Sequence, residues 1–311
     1  MEERVLQLLK ETYPIDFHKV ESVTNEMYRC HAKQGIFFTR ITNYKTYQEQ
    51  LEEVNWTNFL FNQGIGVSKA ISSSNDSLIE NLMLEEEKLA VVYQAASGIH
   101  LPRSKWNKSV FKNLGQQMGR MHRVTKEYMK RESTVHIKDW YENEEYDFLK
   151  YIPKEETTIR EISLDVLNNI KKLPKDNSLY GLIHGDLWLE NILIDSNSKV
   201  TMIDFQDCEK HYFVFDLAVP IYSALEFSFS GGENIRDYGQ SITDALIDGY
   251  KEENDLSPDM IGIIPLCLKL KELFEYSLMH MYWNHKELSE EQVRIMNLYR
   301  IRIEHSHVLK I

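Results

Sequence analysis

The segment LIHGDLWLENILID, residues 182–195, sets His184, Asp186 and Asn191 in a polar loop between two short apolar runs. Leu-Ile before the loop and Ile-Leu-Ile after it have the composition of buried strands. A connection of buried strands that carries two acids and an amide must face something polar. Asp186 supplies a carboxylate able to take a proton, and Asn191 an amide oxygen able to bind a hard cation. After the turn DSNSK, a further strand-like run, KVTMIDF, ends on a second carboxylate at Asp204. Asp186, Asn191 and Asp204 are therefore expected along the edge of one small sheet.

The elements that must hold these groups fall into two textures. The chain has 311 residues, enough for two domains or for two lobes sharing a cleft. Residues 1–13 pattern as an amphipathic helix. Residues 17–41 pattern as two antiparallel strands turning at Lys33-Gln34-Gly35. A helix over 47–63 ends at Gly64, and GVSKAI, NLMLEE and KLAVVYQ supply three more strands. Beyond Ala95-Ala96-Ser97-Gly98, helical periodicity takes over at 109–127, 159–173, 219–229, 237–251, 261–284 and 289–309. The fold class is α+β: a small β-rich lobe over 1–94, a joint at 95–98, and a helical lobe over 99–311 that carries the polar loop.

Composition narrows the function classes. A formal net charge of −12 argues against a nucleic-acid partner, which needs a basic face. Cys30, Cys208 and Cys267 lie far apart, so neither a disulfide framework nor a cysteine zinc site is expected, and a reducing cytosol suits them. The N-terminus lacks the apolar core of a signal peptide, and no apolar run approaches membrane-spanning length. The expected location is the cytoplasm, with no membrane partner. His280, His285, His305 and His307 have no convergent metal-ligand spacing and suit surface or packing roles.

The spacing His-x-Asp-x-x-x-x-Asn is that of the kinase catalytic loop, where Asp accepts the proton of the attacking hydroxyl and Asn ligates Mg²⁺. HGD alone is equally a surface turn, and IDF alone a core strand. Joined as HGDLWLEN, IDFQD and then Asp216-Leu217-Ala218, they point to phosphoryl transfer from a nucleotide. At these motifs the sequence resembles the aminoglycoside phosphotransferase, choline kinase and type II homoserine kinase superfamily. The run DFQDCEKHYFVFDLAVPIYSAL is most similar to its hydroxylysine kinase-like and bacterial stress-response branch, and LGQQMGRMHRV to the helix before its catalytic loop.

The resemblance implies a protein-kinase-like two-lobed fold binding ATP and Mg²⁺, with a small hydroxyl-bearing metabolite or amino alcohol as acceptor. It makes Asp186 the base and gives Asn191 and Asp204 the metals. Arg40 takes the position of the basic residue on the phosphates and Glu53 that of its acidic partner; strand and helix patterns alone would make these two a surface ion pair. Asp207 is a further metal or water ligand, and Asp216 and His184 brace the loop. The adenine lies on Leu193 and Ile203 against the backbone of Gln94–Ala96. One departure stands out: ESVTNEMY carries Ser22 where the family's phosphate-covering loop has Gly, leaving Thr24 and Asn25 as side-chain donors. The acidic, aromatic insert DWYENEEYDF suits an amine-bearing alcohol, or is only a solvated face. Two alternatives stay open, a stress-response protein Ser/Thr kinase and a nucleotide-binding scaffold without catalysis.

Overall fold

The computed structural model describes residues 1–132, 135–226 and 235–305. Its first elements are Glu2–Thr12 (α1), Phe17–Ser22 (β1), Met27–Ala32 (β2), Gly35–Thr42 (β3), Tyr47–Asn62 (α2), Ala70–Ile71 (β4), Glu80–Met83 (β5), Glu87–Gln94 (β6) and Ile99–His100 (β7). Lys108–Arg131 (α3), Phe148–Tyr151 (α4), Thr157–Lys171 (α5), Tyr180–Ile183 (β8), Ile192–Ile194 (β9), Val200–Met202 (β10) and Glu209–Tyr212 (β11) follow. Phe213–Glu226 (α6), Ile235–Lys251 (α7), Pro258–Ile261 (α8), Ile264–Tyr282 (α9) and Glu290–His305 (α10) complete the order. The chain divides into two compact units. One is Met1–His100 with Glu127–Ile137 and Ile192–Gln206; the other is Leu101–Lys126 with Lys138–Asn191 and Asp207–Ile311. No helix among the described residues is long and apolar enough to cross a membrane.

In the first unit an antiparallel sheet runs β1-β2-β3-β6-β4, with β5 also on β6. The apolar side of α1, Val5 and Leu9, packs with Phe17, Val20, Cys30 and Phe37 from that sheet. Residues 17–41 form three strands rather than the two expected. The break comes at Thr24, whose Oγ1 accepts the N–H groups of Glu26 and Met27 and closes a turn that apolar alternation does not register. α2 opens on a capping box between Thr46 and Glu49. β9 and β10 form the expected hairpin, with β7 on the outer side of β9.

In the second unit β8 pairs with β11, residue Ile183 opposite Glu209. The one-sheet expectation is therefore wrong: the loop after β8 leaves one sheet and enters another at β9. β11, EKHY, escapes a hydropathy scan because its buried residues include Glu209 and His211. α6 begins at Phe213, six positions before the periodicity suggested. Phe213–Leu225 is buried throughout, so the segment has no polar face to mark its period. The expected end of that helix at Phe229 lies outside the described residues, as do His307 and Leu309. The helix expected over 261–284 is α9, which starts at Ile264 with Pro265 in its first turn, where the missing N–H costs little, and ends at Tyr282.

α3 and α7 cross at van der Waals contact. A Cβ on Gly115 would stand 2.0 Å from the Leu246 carbonyl oxygen, and one on Gly249 2.0 Å from that of Lys112. Neither backbone can give way without moving a helix. Gly249→Ala should lower stability by about 1–3 kcal/mol, the usual cost of overpacking. Thermal unfolding checks this, and an unchanged Tm would mean that the crossing tolerates a methyl group.

Candidate active site

In the second unit the polar loop is built around one buried carboxylate. Asp216, fully buried near the start of α6, accepts the backbone N–H groups of His184 at 3.2 Å and Gly185 at 3.1 Å. His122 Nε2 lies 2.9 Å from its Oδ2, and His122 Nδ1 lies 3.0 Å from the Tyr250 hydroxyl. Burial alone would raise the Asp216 pKa, but the hydrogen bonds from His122 and Gly185 hold it below the ordinary value. Burial lowers the His122 pKa while Asp216 works to raise it; in the neutral ring, Nε2 donating to the Asp216 carboxylate leaves Nδ1 to accept from the Tyr250 hydroxyl. Gly185 has φ +82°, and a Cβ there would stand 2.5 Å from the Asp207 carbonyl oxygen. Glycine is required at that turn.

The turn presents Asp186 with its side chain 31% exposed. Asn191 Nδ2 donates to the Asp186 carbonyl at 2.8 Å and lies 3.5 Å from Asp186 Oδ2. The nitrogen of the amide is thus committed, and its oxygen is the atom left for a cation. Lys271 Nζ, on α9, lies 3.0 Å from Asp186 Oδ1 and 2.8 Å from Glu275. Arg103 closes the back of the loop, bonding Glu190 at 2.7 Å and the Ser223 carbonyl at 2.7 Å. His122, Lys271, Glu275 and Arg103 were not anticipated. A signal for Lys271 existed: it follows the buried Ile264 and Cys267 at helical spacing, so periodicity puts it on the apolar face.

In the first unit Arg40 Nη2 donates to both Glu53 oxygens at 2.8 Å. The side chains are 3% and 2% exposed, which removes the surface-pair alternative. Burial works against the Arg40 charge. Glu53, Tyr93 and Asp204 together outweigh it, and the guanidinium is held above its ordinary pKa. Arg40 Nε is buried with no hydrogen-bond partner among the described residues. A buried ion pair with an unspent donor contributes little to stability by itself, which makes a purely structural role a poor account of it.

Asp204 is exposed and has φ +62°, a left-handed conformation uncommon outside glycine. The next residue, Phe205, packs edge-on against Trp56 of α2 with ring centroids 5.4 Å apart. The helix that carries Glu53 therefore also anchors the residue after Asp204. Leu193 is buried on β9 and Ile203 half-buried after β10, both in this unit. The N–H groups of Gln94 and Ala95 are taken by the carbonyls of Lys69 and Ile36. The turn after β1 is closed on itself, with Ser22 Oγ donating to the Thr24 carbonyl and Asn25 exposed.

Asn191 and Asp204 are hard oxygen donors, and no group of three or more His, Cys, Asp or Glu side chains able to hold a metal occurs among the described residues. Oxygen donors of this kind suit a hard cation such as Mg²⁺, which takes one or two side chains and completes its shell with phosphate and water oxygens. Asp207 counts with the second unit and is exposed.

Comparison with known proteins agrees with this chemistry. An amicoumacin kinase of Bacillus subtilis (strain 168) is 28% identical over 284 residues, covering 90% of this chain and 84% of that protein. The solved structure of an amicoumacin kinase with AMP-PNP, Ca²⁺ and Ami matches with a TM-score of 0.89 at 25% identity, over 99% of this chain and 94% of that one. A microcompartment-associated aminopropanol kinase shares the fold with a TM-score of 0.77 at 16% identity, over 99% of each chain. The model of the phosphotransferase enzyme family matches residues 17–250, well over half of the sequence and every loop residue described above, and the chain belongs to that family.

Proposed function

We propose that this phosphotransferase moves the γ-phosphate of ATP, with Mg²⁺, to the hydroxyl of a small amine-bearing alcohol. The observation that carries the proposal is Asp186, a solvent-accessible carboxylate paired with Lys271 on a loop that Asn191 ties through the Asp186 main-chain carbonyl. Asp186 orients the acceptor hydroxyl and takes its proton as the new O–P bond forms. Asn191 through its amide oxygen and Asp204 through its carboxylate would supply oxygens to the metal, and Arg40, kept in place by Glu53, would supply positive charge for the phosphates. Leu193 and Ile203 form the apolar floor for adenine. Because the Gln94 and Ala95 N–H groups are engaged, the backbone donor to the base falls to Ala96. When bound, Mg²⁺ neutralises charge on the phosphate oxygens. Catalysis by the chain itself is positioning more than bond chemistry.

A protein substrate is disfavoured by residues 205–216. β11 and the first turn of α6 use them, leaving no room for an activation segment. The buried cysteines Cys30, Cys208 and Cys267 suit a reducing, cytoplasmic setting.

The amine is expected on the side of the insert. There Glu142 caps the backbone of Asp139, and Glu144 is paired with Lys150. Glu145 instead accepts from the Tyr282 hydroxyl at 2.8 Å, beside an aromatic group of Tyr146, Phe274 and Trp140. Asp186, Glu145 and Glu209 all act on the buried Tyr146, whose hydroxyl pKa is raised first by burial and then by Glu209. Glu145→Gln should raise the acceptor KM by roughly 3- to 10-fold, the loss of one partly screened charge, with little change in kcat. Glu142→Gln and Glu144→Gln should leave KM within error. A panel of amicoumacin, aminopropanol and amine-free alcohols, assayed with ATP and Mg²⁺, tests the whole proposal. Turnover of none of them, or of amine-free alcohols alone, would refute it.

A further inference from the structure

The loop HGDLWLEN contains no lysine or arginine, yet a cation stands at its catalytic carboxylate. The geometry assigns Lys271 of α9 as a positioning residue for phosphoryl transfer, acting through Asp186. The inference rests on the phosphotransferase function proposed above.

Lys271 is 1% exposed, whereas Asp186 and Glu275 are 31% and 19% exposed. An ammonium buried this deeply must be paired to remain charged. Its Nζ meets both carboxylates and lies 5.4 Å from the centre of the Trp188 ring and 5.1 Å from that of Phe274. Burial works against its charge, Glu275 and Asp186 outweigh burial, and the pKa ends above the ordinary lysine value. Lys271 follows the buried Ile264 and Cys267 at helical spacing, where a leucine or methionine would satisfy packing; the carboxylates it meets are the reason for a lysine.

Two consequences follow for Asp186. Lys271 occupies Oδ1, while Asn191 Nδ2 lies 3.5 Å from Oδ2, so the carboxylate is pinned in one rotamer with Oδ2 as the oxygen for the acceptor hydroxyl. Glu275, one turn along the same helix, holds Lys271 from the other side and keeps the ammonium from following Asp186 if the loop moves. Lys271 itself is covered by Trp188 and Phe274 and acts on the acceptor only through Asp186. A rotamer lost from a reacting group costs turnover rather than nucleotide binding.

Lys271→Met, Lys271→Arg and the double variant Lys271→Met/Glu275→Gln test this, with kcat, KM for ATP and Tm measured on the full chain. Acceptors are whichever of amicoumacin or aminopropanol the parent protein phosphorylates, and water, read as ATP hydrolysis. The expected result for Lys271→Met is a fall in kcat of about 10²-fold, the usual size of a small misplacement, with KM for ATP within about twofold. Lys271→Arg should recover most of the loss, because a cation is restored. The double variant carries no orphaned carboxylate on α9, so it should fold if the single variant does not, and it should be as slow. A crystal structure should show the Asp186 carboxylate in more than one rotamer.

Full turnover by a folded Lys271→Met or double variant, equal losses in the methionine and arginine variants, or an unmoved Asp186 rotamer would each overturn the inference. A parent protein that phosphorylates neither acceptor and hydrolyses no ATP would overturn the proposed function as well, and is distinguishable because the failure appears before any substitution.

Discussion

Asp186→Asn should turn over its acceptor about 10²–10⁴ times more slowly than the parent protein, the range expected when a positioned base is lost. The fold should survive. An amide oxygen still accepts from Lys271, and Lys271 keeps Glu275 at 2.8 Å, so no buried charge is left without a partner. The Asn191 Nδ2 bond runs to the main-chain carbonyl of residue 186, which the substitution leaves in place. ATP affinity should therefore hardly change, and calorimetry beside steady-state kinetics separates the two effects. If the variant were as fast as the parent, Asp186 would not be the base, and the loop would have to serve binding alone.

Asp204→Ala should abolish Mg²⁺-dependent nucleotide binding, a loss of about 10²-fold or more in affinity when a primary oxygen ligand is removed. Two effects are mixed in that variant. Residue 204 has φ +62°, and alanine tolerates this backbone less well than aspartate or asparagine. Asp204→Asn keeps the conformational preference and removes only the charge, so it isolates the electrostatic part. Titration of each variant with ATP, with and without Mg²⁺, reads the difference directly. Equal ATP·Mg affinity in both variants and the parent would exclude Asp204 as a ligand.

Neither experiment removes a direct contact of the buried Arg40–Glu53 pair. Asp204 is one of several charges acting on Arg40, and Glu53 contacts it through both oxygens. Loss of binding in the Asp204 variants would thus report on the metal ligand and not on a collapsed ion pair.

What the sequence determined by itself is the set of groups whose relation is covalent. Asp186 and Asn191 are separated by one short loop, and Asp204 ends the hairpin that follows it. Their order and spacing survive any packing, and they named the chemistry before a fold was known. The β-rich first part and the helical remainder were legible for the same reason: period-2 and period-3.6 patterns arise within single elements. The secondary structure failed where local pattern was silent. The polar cap of Thr24 split a strand, and the uniformly buried start of α6 carried no period to read.

Only the tertiary structure decided which distant groups share an environment. Arg40 and Glu53 have the composition of an exposed ion pair, and nothing in either segment states that both are covered. Burial is a property of what packs over a side chain, not of its neighbours in the chain. The pairing of β8 with β11 likewise makes the loop a connection from one sheet to another rather than the edge of one, because strand partners are chosen by register and closure across the fold. Lys271 is the plainest instance. It lies 85 residues from Asp186 in an apolar helix, where its charge looks misplaced until α9 packs beneath the loop and the carboxylate it neutralises comes within 3.0 Å.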